Sequence, residues 1–224
     1  MALLLNIDTA GENAVITISK GEKILVAVAN KKQKEHASFL HNAVKDLLLE
    51  IDITIKDLDA VAVVSGPGSY TGLRVGMASA KGFCYALQIP LITIPTLELM
   101  ATFAVNKIND KESFYCPMID ARRMEVFTAV YTYDLVETIK PTALLLEENS
   151  FEALLKEKRV YFSGNGAFKL NNLIKNNKAF FIDEEHCAET TAMLANKYYE
   201  RNNFSDVAYA SPFYLKEFYT PVKP

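Results

Sequence analysis

The sequence predicts an α/β protein made of two duplicated units, each a mixed sheet with helices. Three observations predict it. Each half opens on a short apolar strand that ends in Ile-Asp, at Ile7-Asp8 and at Ile119-Asp120. Each then runs into alternating apolar and polar segments that read as paired strands. Each later reaches a strand followed by a glycine loop, Gly66-Pro67-Gly68 in the first half and Gly164-Asn165-Gly166 in the second.

In the first half, Ala2 to Ile7 is apolar enough for a buried strand. Ala14 to Lys20 and Lys23 to Ala29 alternate and are separated by the turns Gly11-Glu12-Asn13 and Gly21-Glu22, which predicts an antiparallel meander. A basic, polar bend follows Asn30. Ser38 is expected to cap a helix whose stripe is Phe39, Ala43, Val44, Leu47 and Leu48, widened by Leu40 and Leu49. Ala60 to Val64 is a β-branched run that reads as a buried strand. Ile89 to Ile94 is another, and Thr96 is expected to cap the helix through Leu97, Leu99, Met100 and Phe103. In the second half, Phe114 to Ile119, Glu125 to Tyr133 and Leu135 to Lys140 read as strands. Ser150 is expected to cap a short helix. Val160 to Phe162 and Ala179 to Ile182 are strands, and Thr190 to Tyr199 is a helix. The lobes are placed at 1–105 and 106–224, with the tail from about 206 packing back on the first.

The stretch from Ser65 to Leu87 organises the rest. Gly66-Pro67-Gly68 turns the chain, because glycine accepts positive φ and proline presets its own. Thr71 is the expected N-cap, and the first helical amides favour a nearby negative charge. Within the helix Gly72, Gly76, Ser79, Ala80 and Gly82 recur at spacings near three and four. An interior glycine costs about 1 kcal/mol against alanine, so close approach of another backbone must offset it. Two readings stand at this point: packing on the chain's own sheet, or a helix–helix interface between chains. Arg74 and Lys81 argue against a membrane span.

Composition narrows the classes. The chain has 224 residues, half of them hydrophobic, and a formal net charge of −3, with a pI of about 5.7. A globally basic surface for nucleic acid is excluded. Cys84, Cys116 and Cys187 are widely spaced, which favours reduced thiols and a cytoplasmic setting over disulfides or zinc. The sequence has no signal-peptide pattern at its N-terminus, and no segment approaches the ~20 apolar residues of a membrane helix.

Asp8 and Asp120 are expected at equivalent strand ends. In a two-lobed nucleotide-binding layout such carboxylates hold magnesium or orient a water; the alternative is that each caps a turn. Together with Gly66 and Gly68 they form the candidate site for ATP or ADP with magnesium.

Leu5-Asn6-Ile7-Asp8-Thr9-Ala10, then Ser65-Gly-Pro-Gly-Ser-Tyr-Thr-Gly-Leu-Arg74-Val-Gly76, then Pro95-Thr96-Leu97-Glu98 and Ile119-Asp120-Ala121-Arg122-Arg123-Met124-Glu125-Val126-Phe127 resemble the bacterial TsaB family, also called YeaZ. Ser211-Pro212-Phe213-Tyr214-Leu215-Lys216 is similar to the family's closing motif, with Lys216 in place of arginine. The resemblance implies the actin/hexokinase/Hsp70-like (ASKHA) fold, two duplicated RNase H-like lobes. It implies a non-catalytic dimerisation or scaffold subunit in the synthesis of N6-threonylcarbamoyladenosine at tRNA position 37. The implied partners are TsaD, with TsaE at their junction, TsaC and tRNA indirectly, and a second copy when TsaD is absent. The family pairs through its first two helices, here Ser38 to Glu50 and Gly72 to Leu87. That implies an interface of Phe39, Leu40, Ala43, Leu47, Gly72, Arg74, Val75, Gly76, Ser79, Ala80 and Phe83. A bulky residue at Gly76 is then expected to abolish pairing and leave the monomer folded.

Catalytic chemistry is not visible in the chain. Thr96 and Met100 stand where the resemblance places the His-x-x-x-His metal pair of the catalytic relative. His36 and His41 are five apart, with His36 expected to precede the helix, and His186 follows Glu184-Glu185 in a loop, so no metal role is expected. Ser65 and Ser69 have no histidine placed to activate them, and the Gly-x-Ser-x-Gly elbow is absent. Arg122 and Arg123 can bind a phosphate or a partner carboxylate, or stand as solvated turn residues. The alternative function is an ATP-dependent phosphotransferase or ATPase of the same fold.

Overall fold

The computed structural model describes residues 1–31, 36–183 and 188–216, of which 36–38 by backbone alone. The expected bend at 32–35, His186 and Cys187 lie outside the described residues. The first sheet contains β1 (Leu3–Asp8), β2 (Ala14–Lys20), β3 (Lys23–Asn30), β4 (Ala60–Gly66) and β5 (Leu91–Pro95), in the order β3-β2-β1-β4-β5. β1, β2 and β3 pair antiparallel, while β4 runs parallel to both β1 and β5. The second sheet repeats this topology with β6 (Phe114–Asp120), β7 (Glu125–Tyr131), β8 (Glu137–Leu145), β9 (Val160–Ser163) and β10 (Ala179–Ile182), in the order β10-β9-β6-β7-β8. Its β6, β7 and β8 are antiparallel, and β9 is parallel to β6 and β10. The duplication anticipated from the two Ile-Asp strands is therefore present in strand order and direction.

Helices α1 (His36–Glu50), α2 (Tyr70–Leu87), α3 (Thr96–Ile108), α4 (Glu152–Glu157), α5 (Ala167–Asn171) and α6 (Ala188–Glu200) complete the described elements, with a short 3-10 turn at Ile55–Asp57. The side-chain alternation of the strands decides which helices cover which face. On one face of the first sheet Leu5, Ile7, Ile16, Ile18, Val61 and Val63 pack under Leu40, Val44 and Leu47 of α1 and Met77, Ala80 and Cys84 of α2. On the other, Leu4, Ala60, Ala62, Val64, Ile92 and Ile94 pack against Leu99 of α3 and Leu194 and Ala195 of α6.

The position of α6 departs from the lobe boundary read from the sequence. The chain divides into two compact units, one of Met1–Phe103 with Glu185–Phe213 and the other of Ala104–Glu184 with Tyr214–Pro224. Helix α6 thus belongs with the first sheet, although 106–224 reads as the second lobe. The physical reason is that β1 and β4 are apolar on both faces, so their second face must also be covered. Tyr198 of α6 donates its hydroxyl to the Glu98 carboxylate of α3 at 2.6 Å, which ties the two covering helices together. The chain after α6 stays on this unit. Ser205 N–H donates to Leu91 O at 2.8 Å, and Lys81 Nζ donates to Ala208 O and Ala210 O at 3.1 and 2.8 Å.

The second unit has its own core, in which Phe114, Cys116, Met118, Val126, Val130, Val160 and Phe162 meet Phe151, Leu155 and Leu170. Asp110 fastens the entry to β6. Its carboxylate accepts from Ser113 Oγ at 2.7 Å and from Glu112 N–H at 3.1 Å, and lies 3.2 Å from the Arg159 guanidinium. Burial pushes the buried thiols of Cys84 and Cys116 up, to about 11 and about 12, so both are unreactive at neutral pH.

Helix starts are where the sequence reading needs correction. Ser69, not Thr71, caps α2, accepting from Gly72 N–H at 3.3 Å. Helix α1 begins at His36, so Ser38 lies in its first turn. Phe151 holds the N-cap position of α4, while Ser150 Oγ accepts from Glu147 N–H at 2.7 Å and closes the turn before it. A polar side chain near a helix start satisfies whichever amide the incoming chain direction presents, and that direction is set by the preceding loop.

Candidate functional site: the outer face of the first two helices

The glycines of α2 do not form one surface. A Cβ on Gly72 would overlap the main-chain oxygen of Thr9, and one on Gly76 would overlap Thr9 Oγ1 and touch Ile7 Cγ2 and Val63 Cγ2 at 3.4 Å. Thr9 Oγ1 donates to Gly72 O at 2.7 Å, which locks α2 against the end of β1. Gly72, Gly76 and Ala80 are therefore the close-packed seam between α2 and this chain's own sheet. The three residues expected at an interface thus face this chain's own sheet, and a bulky residue at Gly76 would press on Thr9 within the monomer. Leu40, Ala43 and Leu47 are likewise buried in the monomer core. Ser79 is buried with its hydroxyl 3.3 Å from His41 Nε2, and Phe83 packs edge-on against the His41 ring with centroids 5.5 Å apart. Both serve contact between α1 and α2.

What faces solvent is a second stripe. Thr71, Arg74, Ala78, Gly82 and Tyr85 are exposed along α2 at spacings of three and four, with Val75 and Phe83 half-buried beside them. At about 100° per residue, Gly82 lies roughly 120° around the helix from Gly76. A Cβ on Gly82 would meet nothing within 4 Å. Arg74 is ordered along the stripe by the Tyr70 hydroxyl at 2.8 Å and by the Tyr70 ring. Next to it, Val44, Leu48, Leu49, Ile53, Ile55 and Phe83 line a shallow groove along α1. Leu49 and Tyr85 are 68% and 75% exposed. Phe39 is half-buried and lines a separate groove between α1 and β3.

The candidate phosphate-site residues fall on strand ends of two units. In the first, Asp8 Oδ1 accepts from Ala10 N–H at 3.0 Å. The glycine loop lies directly on that turn: Ser69 N–H donates to Ala10 O at 2.7 Å, and a Cβ on Gly68 would overlap Ala10 O. Gly66 has φ +116° and lies against Phe213 O, while Phe213 N–H donates to Ser65 O at 2.7 Å. The loop thus sits tightly between Ala10 and the tail of its own unit.

The second unit repeats the arrangement. Asp120 Oδ1 accepts from Arg122 N–H at 2.6 Å, and Gly166 N–H donates to Met118 O at 3.0 Å. Here a lysine is added, with Lys169 Nζ 2.6 Å from Asp120 Oδ1. Burial works to raise the Asp120 carboxyl. The hydrogen bonds from Lys169 and Arg122 N–H and the Lys169 charge outweigh it, and hold the group below its usual 3.8. A group depressed on folding stabilises above its unfolded value and loses that contribution as pH falls through the folded one. Asp120→Asn is therefore expected to lower the urea midpoint at pH 7, and the gap to wild type is expected to begin narrowing as pH falls towards 3.8 and to close only at the lower pH where the folded carboxylate is itself protonated.

On α3, Thr96 and Met100 are each 2% exposed, packed inside the first unit. Among the described residues, no three His, Cys, Asp or Glu side chains are grouped to hold a metal ion. None of the described helices is long and apolar enough to cross a membrane.

A family model described as TsaD, tRNA N6-adenosine threonylcarbamoyltransferase, matches residues 24–217. The tRNA threonylcarbamoyladenosine biosynthesis protein TsaB of Bacillus subtilis is 32% identical over 165 residues, covering 72% of this chain and 70% of that protein. The chain belongs to the TsaB family. Escherichia coli TsaB is 32% identical over 131 residues, covering 58% of this chain and 55% of its own. The solved YeaZ of Pseudomonas aeruginosa, YeaZ being the other name of TsaB, superposes with a TM-score of 0.81 at 24% identity, over 96% of this chain and 100% of that one. A putative N-acetylmannosamine kinase from Listeria monocytogenes shares the fold alone, with a TM-score of 0.52 at 9% identity over 90% of this chain and 99% of its own. The TsaB fold is thus the two-lobed ASKHA fold that the resemblance implied.

Proposed function

We propose that this chain is the non-catalytic pairing subunit of tRNA N6-threonylcarbamoyladenosine synthesis, docking TsaD through the outer face of α1 and α2. The family relationship supports the pathway, since the relatives are named biosynthesis proteins for this nucleoside. One observation carries the pairing role: the exposed stripe Ala78–Gly82–Tyr85, with open space over Gly82, beside the apolar groove of Leu48, Leu49 and Phe83. Small residues at the centre of the stripe let a second helix pair approach closely, and the flanking apolar side chains supply burial at ~25 cal/mol per Å² before the costs of association. A second copy of this chain presents the same surface and would form the homodimer when TsaD is absent. Thr96 and Met100, where the catalytic relative carries its histidines, support assigning the transfer step to TsaD. TsaE would join at the junction of the pair, with TsaC delivering the activated threonylcarbamoyl group.

Reconstitution tests this reading. A tRNA transcript that reads an A-starting codon, incubated with TsaC, TsaD, TsaE, threonine, bicarbonate and ATP, is expected to be modified only when this chain is added. Equal product without the chain overturns the proposal, and so does product from this chain in the absence of TsaD.

A further inference from the structure

The turn between β6 and β7 has a backbone that its residues do not favour. Arg122 and Arg123 both have positive φ, +70° and +49°. Glycine or asparagine adopts that region at less cost, so two consecutive arginines there run against local preference. Backbone of this kind clusters at functional sites, and of the described non-glycine residues with positive φ only Arg122 and Arg123 are adjacent in sequence.

The turn is also braced. Asp120 Oδ1 accepts from Arg122 N–H, Ala121 N–H donates to Glu125 O at 3.1 Å, and Glu125 N–H donates to Arg122 O at 3.1 Å. Lys169 Nζ spans its two ends, reaching Asp120 Oδ1 at 2.6 Å and Glu125 O at 3.0 Å. Leu146 N–H holds Met124 O at 2.7 Å, and Lys216 Nζ is 2.5 Å from Glu125 Oε2. The two carboxylates are thus matched by the two lysines. The Arg122 and Arg123 side chains are exposed and make no hydrogen bond or ion pair with any described residue. The equivalent turn of the first unit, Ala10-Gly11-Glu12-Asn13, carries no cation. A chain of net charge −3 therefore holds two uncommitted guanidiniums on a rigid turn of one unit only.

We infer that the β6–β7 turn is an RNA-backbone contact, in which Arg122 and Arg123 each take a phosphodiester of the tRNA substrate. The inference rests on the tRNA reading proposed above. A guanidinium presents a planar fork of donors that matches two phosphoryl oxygens, and a braced turn spends little entropy in placing it. The exposed Met124 beside them offers an apolar surface for a sugar or base.

The test measures tRNA binding by fluorescence anisotropy between 50 and 300 mM KCl, using the full chain alone and mixed with TsaD. Wild type is compared with the double variant Arg122→Gln, Arg123→Gln, and pairing with TsaD is scored separately by co-elution. Loss of two phosphate contacts is expected to flatten the log K against log salt slope by about 1.4 to 1.8 and to weaken binding at 100 mM KCl on the order of tenfold or more, with co-elution unchanged. An unchanged slope and affinity overturns the inference, as does the absence of measurable tRNA binding by wild type in both forms. Loss of co-elution would make the turn a protein contact, and loss of ATP binding with tRNA binding intact would make it a nucleotide contact; either overturns it. Failure of wild type to co-elute with TsaD would instead overturn the pairing proposal, while the salt slope of the chain alone still decides the role of the arginines.

Discussion

Gly82→Arg is expected to weaken pairing on the order of a hundredfold while leaving the isolated chain slightly more stable. The two effects have opposite signs because the position is exposed in the monomer and central in the proposed interface. No atom outside its own helix lies within 4 Å of the Cβ that would be added, so the monomer has room for the side chain. Exchanging an exposed helix glycine for arginine gains roughly 0.7 kcal/mol of helix propensity. In a helix–helix contact the same side chain would hold the partner away and bury a charge with no counterion, which costs several kcal/mol. Sedimentation or gel filtration with TsaD measures the first effect and thermal melting of the free chain the second. Pairing at wild-type strength would remove this face of α2 from the interface. A parallel fall in melting temperature would place the damage inside the monomer.

Glycine substitutions on the sheet-facing side of α2 should behave in the reverse manner. Gly72→Ala is expected to destabilise the free chain by about 3 kcal/mol, because the added carbon meets the Thr9 main-chain oxygen and backbone cannot be trimmed away. Gly76→Ala is expected to cost about 1–2 kcal/mol, since its obstruction is a side-chain hydroxyl, Thr9 Oγ1. Thr9→Ala alone forfeits the hydrogen bond to Gly72 O, about 1 kcal/mol. Combined with Gly76→Ala it also removes the clash, and the remaining neighbours at 3.4 Å are in ordinary contact. The double variant should therefore be more stable than the sum of the single effects by ~1–2 kcal/mol. The same Thr9→Ala change should give Gly72→Ala no such rescue. Urea denaturation of the variants reads both outcomes. Equal rescue of the two glycines would refute the packing assigned here to the end of β1.

The three glycines Gly72, Gly76 and Gly82 mark how far the sequence could be read. Strand existence, the paired meander and the duplication were legible because alternation and β-branched runs report burial on sheet faces directly. The small residues of α2 were legible as a demand for close approach, but Gly72, Gly76 and Gly82 looked alike. Helical spacing in the sequence separates them by angle, and angle alone does not say which side the sheet occupies. Leu40, Ala43, Leu47 and Gly76, expected at an interface, are buried inside the unit for that reason: an apolar or small stripe suits a core and a docking surface equally. Arg122 and Arg123 were visible as a dipeptide, while their left-handed backbone was not.

By itself the sequence determined the two-unit α/β architecture, the family, and the need for something to lie close against α2, because these depend on periodicity and on motifs local to the chain. Only the tertiary structure decided what lies there. The Thr9 end of β1 occupies the Gly72–Gly76 side, and Gly82 is left open. Likewise α6, distant in sequence, covers the second face of the first sheet. Both outcomes depend on which surfaces meet across long stretches of chain, and burial of apolar area constrains how much surface is covered without naming the element that covers it.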